Sequence, residues 1–236
     1  MKLSIIIPVY NEEKTIEEIL RRVRKEKIPG IEKEIIVIDD GSTDSTREKL
    51  KKTKSKDFKI IFQKKNGGKG SAVRIGIQEA KGEYIIIQDA DLEYNPRLIK
   101  YLVKPILEKK AEVVYGTRLN RMPHPRGEER KNLFILHFFG NRFLSLIASI
   151  LYGQWITDME TCYKLFPKKA MNGIKLNAKG FELEPEITAK LLKRGYKIKE
   201  ISISVNPRGY DEGKKLNTIK DGLKALWFLF KYRFSD

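Results

Sequence analysis

The sequence predicts an α/β fold, with a mostly parallel central sheet flanked by helices. Its first half alternates short β-branched runs, which are typical of buried strands, at residues 3–9, 34–38, 58–62, 84–88 and 113–116. Amphipathic stretches typical of helices lie between them, at about 11–25, 43–53, 71–80 and 96–108. Such alternation favours a parallel sheet, whose ligands bind beyond the carboxyl ends of the strands. The loops that follow the strands are therefore where a site is expected.

Two residues mark predicted helix starts. Asn11 precedes the first amphipathic stretch and is expected to cap it. Asn95 is predicted to cap a second helix, because Pro96 follows it and proline is favoured at the first position of a helix.

The pattern changes in the second half of the chain. A basic loop containing MPHPRGEE leads to a long aromatic stretch at 131–155, which is predicted to be helical. A short strand at 162–166, a helix at 184–194 and a strand at 197–205 follow. A second basic loop, NPRGYDEGKK, precedes a final helix from about Thr218. Because the sequence contains no internal repeat, we expect a single domain spanning residues 1–236.

The composition narrows the class of protein. The 236 residues include 48 Lys and Arg against 31 Asp and Glu, a net charge of +17 that attracts anionic partners. The single cysteine, Cys162, excludes an internal disulfide and fits a reducing compartment. The apolar run at the N-terminus is shorter than a signal peptide requires, and no stretch has the length of a membrane span. We therefore expect a cytoplasmic protein.

The strongest candidate site is Asp89-Ala90-Asp91, directly after the strand at 84–88. In extended chain, residues two apart point to the same side, so both carboxylates can face one cation. Glu93 continues the series. Mg²⁺ typically takes one or two carboxylates and completes its shell with water and substrate phosphates. Asp89, Asp91 and Glu93 are thus candidate ligands of a divalent metal.

Two further loops carry weaker signals. Asp39 follows the second strand, where a carboxylate can accept a hydrogen bond from a ribose hydroxyl or a base nitrogen. The segment Asp39-Asp40-Gly41-Ser42 also has the composition of an ordinary turn. Lys69 lies in NGGKGS, just before a predicted helix, where it can meet an anion at the helix N-terminus. A plain glycine turn explains that segment about as well, because it lacks the phosphate-loop pattern.

Several of these motifs together resemble a known family. The chain resembles the family 2 glycosyltransferases, which have the GT-A type fold. The segments that carry the resemblance, in order and spacing, are IIIPVYNEE, VIDDGSTDST, NGGKGSAVRIGI, QDADLEYNP and GTR. The resemblance is greatest to polyprenyl-phosphate hexosyltransferases, the dolichyl-phosphate mannose and glucose synthases. It implies an inverting transfer of hexose from GDP-mannose or UDP-glucose to a polyprenyl or dolichyl phosphate, with Mg²⁺ or Mn²⁺ as cofactor.

The resemblance also implies roles for individual residues. Residues 1–118 would form the nucleotide-binding half and 119–236 the acceptor-binding half. The nucleotide-sugar would be bound by Pro8, Tyr10, Glu12, Asp39, Lys69, Asp89, Ala90 and Asp91. The phosphates of donor and acceptor would be gathered by Arg118, Arg130, Arg208 and Lys215. Asp91, Arg118 and Asp158 are the candidate catalytic residues. The mannose synthases usually carry Ser-Gly-Phe where this chain has Thr161-Cys162-Tyr163, which leaves the sugar and the acceptor class open.

Two kinds of acceptor make different demands on the site. A hydroxyl acceptor needs a general base, for which Asp158 and Glu160 are candidates. A lipid phosphate is largely ionised at neutral pH and needs none. In that case Asp158 would instead hold Arg118 or Lys164.

Two aromatic stretches bear on partners. Residues 133–155 and the C-terminal helix combine aromatic and basic side chains, as interfacial helices on an anionic membrane do. Packing on the core or on a second subunit, which would make a homo-oligomer, explains them equally well. Nucleic acid is not an expected partner, because the basic charge comes without a binding motif or a stacking platform. The predicted location is the cytoplasmic face of a membrane.

Overall fold

A seven-stranded sheet forms the centre of the computed structural model, which describes residues 1–53, 56–119, 132–208 and 218–235. The strand order is β3-β2-β1-β4-β6-β5-β7. The strands are β1 (Lys2–Val9), β2 (Glu32–Asp39), β3 (Phe58–Phe62), β4 (Tyr84–Ile87), β5 (Val113–Thr117), β6 (Lys164–Pro167) and β7 (Ile198–Ser202).

The sheet is mostly parallel, which confirms the predicted fold class. β1 pairs in parallel with β2 and β4, β2 with β3, and β5 with β7. Only β6 runs antiparallel to both of its neighbours, β4 and β5. This strand comes from the second half of the chain and lies between two strands of the first half, so the two halves share one sheet.

Helices cover the sheet. They are α1 (Ile16–Lys25), α2 (Thr46–Lys52), α3 (Lys69–Glu79), α4 (Ile99–Leu107), α5 (Asn132–Tyr152), α6 (Leu183–Lys193) and α7 (Thr218–Phe234). Single 3₁₀ turns occupy Pro96–Leu98 and Lys168–Met171. α7 packs against α5 and α6. Within the described ranges, every helix is too short or too polar to cross a bilayer.

The two predicted helix starts have different outcomes. The prediction for Asn95 is confirmed, since its side chain accepts a hydrogen bond from the Arg97 amide at 3.1 Å. The prediction for Asn11 is wrong, because α1 begins only at Ile16 and Asn11 has a φ of 50°. Its side-chain oxygen instead accepts from the Thr43 amide at 2.8 Å, so it ties the loop after β1 to the loop after β2. The side chain of Asn11 therefore makes a long-range hydrogen bond instead of capping α1.

Helix α3 lies unusually close to the sheet at Gly76. A Cβ at this position would come within 2.4 Å of Ile6 Cγ2 and 3.0 Å of Ile38 Cδ1, both in the buried core. This close packing fixes the distance between α3 and the strands β1 and β2. The N-terminus of the same helix carries Lys69 into the site described below.

We predict that Gly76→Ala destabilises the protein by about 1–3 kcal/mol, because an added methyl group overpacks the contact between α3 and the sheet. The matched control is Gly140→Ala in α5, where a Cβ would meet nothing within 4 Å. There the higher helix propensity of alanine should stabilise by up to about 1 kcal/mol. Urea denaturation of both variants checks the prediction, and equal effects would contradict it.

Candidate active site

The carboxylates predicted as a pair, Asp89 and Asp91, lie in the loop that follows β4, at the carboxyl end of the sheet. Their side chains are 20% and 19% exposed. The loop turns sharply at Leu92, which has a φ of 67°. Asp91 accepts a hydrogen bond from the Glu93 amide at 3.0 Å, which holds the turn together.

A lysine from α3 faces the first of these carboxylates. Lys69 Nζ lies 2.9 Å from Asp89 Oδ1 and 3.1 Å from Glu184 Oε1. Burial opposes the charge on this lysine, but the neighbouring carboxylates of Asp89 and Glu184 raise its pKa well above the usual value. In turn, although burial favours the neutral form of Asp89, Lys69 holds the pKa of this carboxyl below its ordinary value. Lys69 therefore belongs to the site as a permanent cation.

An arginine from the loop after β7 faces the second carboxylate. Arg208 donates to both oxygens of Glu12 at 3.1 Å and lies 3.3 Å from Asp91 Oδ2. Its backbone amide donates to Glu93 Oε1 at 3.1 Å. The structure thus brings Glu12, Asp91, Glu93 and Arg208 together, although they come from three distant segments of the chain.

The site carries more negative than positive charge. Burial, together with the charges of Asp89 and Glu93, raises the pKa of Asp91 to about 7 against the opposing effect of Arg208. Two or more ionised carboxylates at close range are stable only with a compensating cation, so the donor set fits a divalent metal. Across the described residues, no three His, Cys, Asp or Glu side chains are placed to hold a metal ion. Asp89 and Asp91 would therefore need substrate phosphates or water to complete a metal's coordination.

The nucleotide-side candidates lie at the ends of β1 and β2. Pro8 and Tyr10 are half-buried at the end of β1, and Ala90 is buried beside the carboxylate pair. Asp39 ends β2, is fully buried, and accepts from Arg47 Nε at 2.7 Å. Its carboxylate is therefore already paired in this structure.

The neighbouring residue Asp40, which was not among the predicted site residues, holds the glycine loop in place. It accepts from the Gly67 and Gly68 amides at 2.9 and 2.7 Å, and burial raises its pKa. Gly68 has a φ of 88°, and a Cβ there would lie 2.2 Å from the Lys179 carbonyl oxygen. Only glycine fits this close approach, which places Lys69 at the first turn of α3.

Arg118 and Asp158 form a bidentate pair. Arg118 Nε and Nη2 lie 2.7 and 2.8 Å from the two oxygens of Asp158, and the Arg118 amide donates to the same carboxylate at 2.9 Å. Asp158 is fully buried. Burial opposes the charge on Arg118, yet Asp158 raises its pKa well above the ordinary value. Of the two roles open to Asp158, this geometry favours holding Arg118.

Comparison with known proteins identifies the family. The model of glycosyl transferase family 2 matches residues 4–174, nearly three quarters of the chain. The chain belongs to this family. It is a glycosyltransferase, as the motifs of its first half imply.

Two named relatives align with nearly the whole of this chain. The dolichol-phosphate mannosyltransferase of Pyrococcus furiosus is 31% identical over 237 residues, which cover 98% of this chain but 64% of that protein. This glycosyltransferase therefore spans a little under two thirds of that relative's length. Glycosyltransferase AglJ of Haloferax volcanii is 28% identical over 232 residues, covering 98% of this chain and 71% of AglJ.

A solved structure confirms the GT-A fold. Glucosyl-3-phosphoglycerate synthase of Mycobacterium tuberculosis, in complex with Mn²⁺, UDP and glucosyl-3-phosphoglycerate, superposes with a TM-score of 0.73 at 18% identity. The match covers 100% of this chain and 81% of that one. At this identity the likeness concerns the fold alone.

The glycosyltransferase site also contains a carboxylate with one oxygen that has no hydrogen-bond partner. Glu160 Oε1 is buried and accepts no hydrogen bond in this structure. Burial raises the pKa of Glu160 to about 7, and the negative charges of Glu184 and Asp158 add to the effect, against Lys164 and Arg118. Glu160 therefore differs from Asp158, since it is free to gain or lose a proton near neutral pH.

Two predicted residues lie outside the described parts of the chain: Arg130 and Lys215. Glu184 was missed, and Lys164 was expected only as a possible partner of Asp158, whereas the structure pairs it with Glu184. Lys164 and Glu184 are almost completely buried and lie 2.5 Å apart. The one available signal for Lys164 was the presence of a lysine within the short predicted strand at 162–166.

Glu160 should leave a mark on the pH dependence of stability. Its folded-state pKa lies above its ordinary value, so this group contributes stability below about pH 4.5 that is lost as pH rises towards 7. The expected loss is on the order of 1 kcal/mol or more. In Glu160→Gln, the decline in the free energy of unfolding between pH 5 and 8 should be shallower than in the wild type. Parallel pH profiles of the two proteins would contradict the prediction.

Proposed function

We propose that this glycosyltransferase moves a hexose, with inversion, from a nucleotide-sugar to a polyprenyl phosphate, with a divalent cation at Asp89 and Asp91. The observation that carries the proposal is the pairing of these two carboxylates at the end of β4 with Lys69 and Arg208 beside them. Carboxylates flanked by cations suit a bound metal and diphosphate together. When bound, the metal would neutralise charge developing on the diphosphate leaving group.

The protein's own residues would do the rest of the work. Lys69 and Arg208 lie where they can meet the oxygens of the donor diphosphate. Arg118 is held rigidly by Asp158, so its guanidinium is oriented before the acceptor arrives. The solved relative in the fold comparison was crystallised with Mn²⁺ and UDP, which supports a metal and a nucleotide-sugar donor.

An apolar cavity supports a lipid acceptor. It has a volume of about 260 Å³ and lies between α5 and α7, with Phe143, Leu144 and Leu226 in its wall and Glu160 in its lining. Glu160 is two residues from Asp158, which holds Arg118, so the segment that positions this arginine also contributes to the lining of the cavity. The dolichol-phosphate mannosyltransferase among the relatives supports the same class of acceptor.

The outer faces of α5 and α7 support a membrane location. Their exposed apolar side chains are Phe139, Phe143, Leu146, Ile150, Leu223, Trp227, Phe230 and Phe234. The exposed cations Lys224, Lys231 and Arg233 lie on α7 among them. Apolar area with basic residues at its margin suits the headgroup layer of an anionic bilayer, where a polyprenyl phosphate resides.

The test of the proposed reaction is a donor screen, in which UDP- and GDP-hexoses are combined with a short polyprenyl phosphate and product formation is measured. Asp91→Ala should lower transfer at least about 100-fold while leaving the fold intact, because a metal clamp on the leaving group is lost. Removal of divalent metal with EDTA should abolish transfer in the wild type. Full activity in EDTA would contradict the role given to Asp89 and Asp91.

The membrane role predicts reversible binding to vesicles that contain anionic lipid, weakened by salt. Trp227→Ala with Phe230→Ala should reduce this binding, and should slow transfer to a long polyprenyl phosphate more than hydrolysis of the donor. The control is Tyr101→Ala, an exposed aromatic residue of α4 outside this surface. If the wild type does not bind the vesicles and sediments as a dimer, the apolar face of α5 and α7 is a subunit interface instead.

A hydroxyl acceptor is the second candidate, and Glu160 is the observation that favours it. A carboxyl group with a pKa of about 7 and a free oxygen is suited to accept a proton at neutral pH. Under this alternative, Glu160→Gln abolishes transfer; with a phosphate acceptor it leaves appreciable activity. Asp158→Asn does not separate the two candidates, since it should disturb the position of Arg118 under both.

A further inference from the structure

Four charged side chains of alternating sign, two of them buried and two partly exposed, connect the interior to the candidate metal site. Lys164 Nζ lies 2.5 Å from Glu184 Oε2, Glu184 Oε1 lies 3.1 Å from Lys69 Nζ, and Lys69 Nζ lies 2.9 Å from Asp89 Oδ1. Lys164 and Glu184 are 0% and 3% exposed. Charges buried to this degree are stable only when each has a partner of opposite sign.

The inner end of this chain is fixed. Lys164 donates to the carbonyl oxygens of Met159 and Thr161 at 2.8 and 2.5 Å, in addition to its bond with Glu184. All three ammonium protons are therefore used, and Glu184 has an anchored cation on one side. Its Oε2 is committed to that cation.

The other oxygen of Glu184 has spare capacity. Oε1 is buried and makes no hydrogen bond, although Lys69 Nζ is 3.1 Å away in an ion-pair contact. Lys69 directs its hydrogen bond to Asp89 instead, at 3.1 Å to Oδ2. A small rotation of the ammonium group can therefore transfer Lys69 from Asp89 to Glu184 without exposing either charge to an apolar environment.

We infer that Glu184 is a positioning residue that receives Lys69 when Asp89 turns to a divalent cation. Without Glu184, a metal that bound Asp89 would leave the poorly solvated ammonium group of Lys69 unpaired, so Lys69 would compete with the metal for this carboxylate. Arg208 has the same arrangement, because Glu12 provides it with a second carboxylate beside Asp91. The inference rests on the proposed metal site at Asp89 and Asp91.

The experiment measures Mn²⁺ affinity by calorimetry in the full chain, first alone and then with UDP or GDP, whichever binds the wild type. Glu184→Gln keeps the volume and an acceptor for Lys164 but removes the charge. We expect its dissociation constant for Mn²⁺ alone to rise about tenfold or more. The rise should be smaller with the nucleotide present, since a diphosphate gives Lys69 a new partner.

A double-mutant cycle tests whether the effect passes through Lys69. In a Lys69→Gln background the protein has no Lys69 ammonium group for Glu184 to pair with. Adding Glu184→Gln should therefore change the Mn²⁺ affinity little. The matched control is Glu186→Gln, another buried carboxylate of α6, paired with Lys190 at 3.0 Å and remote from Asp89 by its contacts. It should lower thermal stability without a comparable loss of Mn²⁺ affinity.

Each remaining outcome is decisive. Unchanged Mn²⁺ affinity in Glu184→Gln, or an equal loss with and without Lys69, overturns the inference. Loss of transfer at saturating Mn²⁺ with normal affinity also overturns it, since Glu184 would then act on the reaction itself. If Glu184→Gln does not fold, Glu184→Asp keeps the charge but withdraws the carboxylate from Lys69, and its Mn²⁺ affinity should still fall. A wild type that binds no Mn²⁺ would refute the proposed metal site instead.

Discussion

The balance of charge at the carboxyl end of β4 is the constraint on which the rest of this site depends. β4 lies inside the sheet, between β1 and β6, and its isoleucines are fully buried. The chain leaves this apolar strand directly into Asp89 and Asp91. Carboxylates so close together and so poorly solvated require cations, and burial with the charges of Asp89 and Glu93 raises the pKa of Asp91 against the effect of Arg208.

The second half of the chain supplies Arg208, one of those cations, and a second carboxylate for the other, Lys69. β6 enters the sheet between β4 and β5 and brings Lys164 beneath the site, while α6 brings Glu184 against Lys69. The loop after β7 delivers Arg208. The two halves of the chain are therefore joined electrostatically as well as by strand pairing. A change in the second half can therefore alter the charge balance around Asp89 and Asp91 without changing a residue of the first half.

Much of the fold was predictable because it follows from local patterns. Alternating apolar and amphipathic segments identified the strands and helices, and the position of Asp89 and Asp91 after a strand identified the carboxylate pair. Contacts between distant segments were not predictable in this way. Asn11 bonds to a loop 32 residues away instead of capping its own helix, and Arg208 meets Glu12 across 196 residues. Glu184 was missed for the same reason, since its role is visible only beside Lys69.

The contrast between Asp158 and Glu160 bears on the acceptor. Both carboxylates are poorly solvated, yet Asp158 has an arginine in bidentate contact while Glu160 has an oxygen with no donor. Isolation keeps Glu160 partly protonated near neutral pH, and in that form it can donate a hydrogen bond to an anion without repelling it. An ionised Glu160 would oppose an incoming phosphate beside Arg118. A phosphate acceptor thus benefits from the same isolation that would make Glu160 a competent base for a hydroxyl acceptor, and its protonation state during transfer separates the two chemistries.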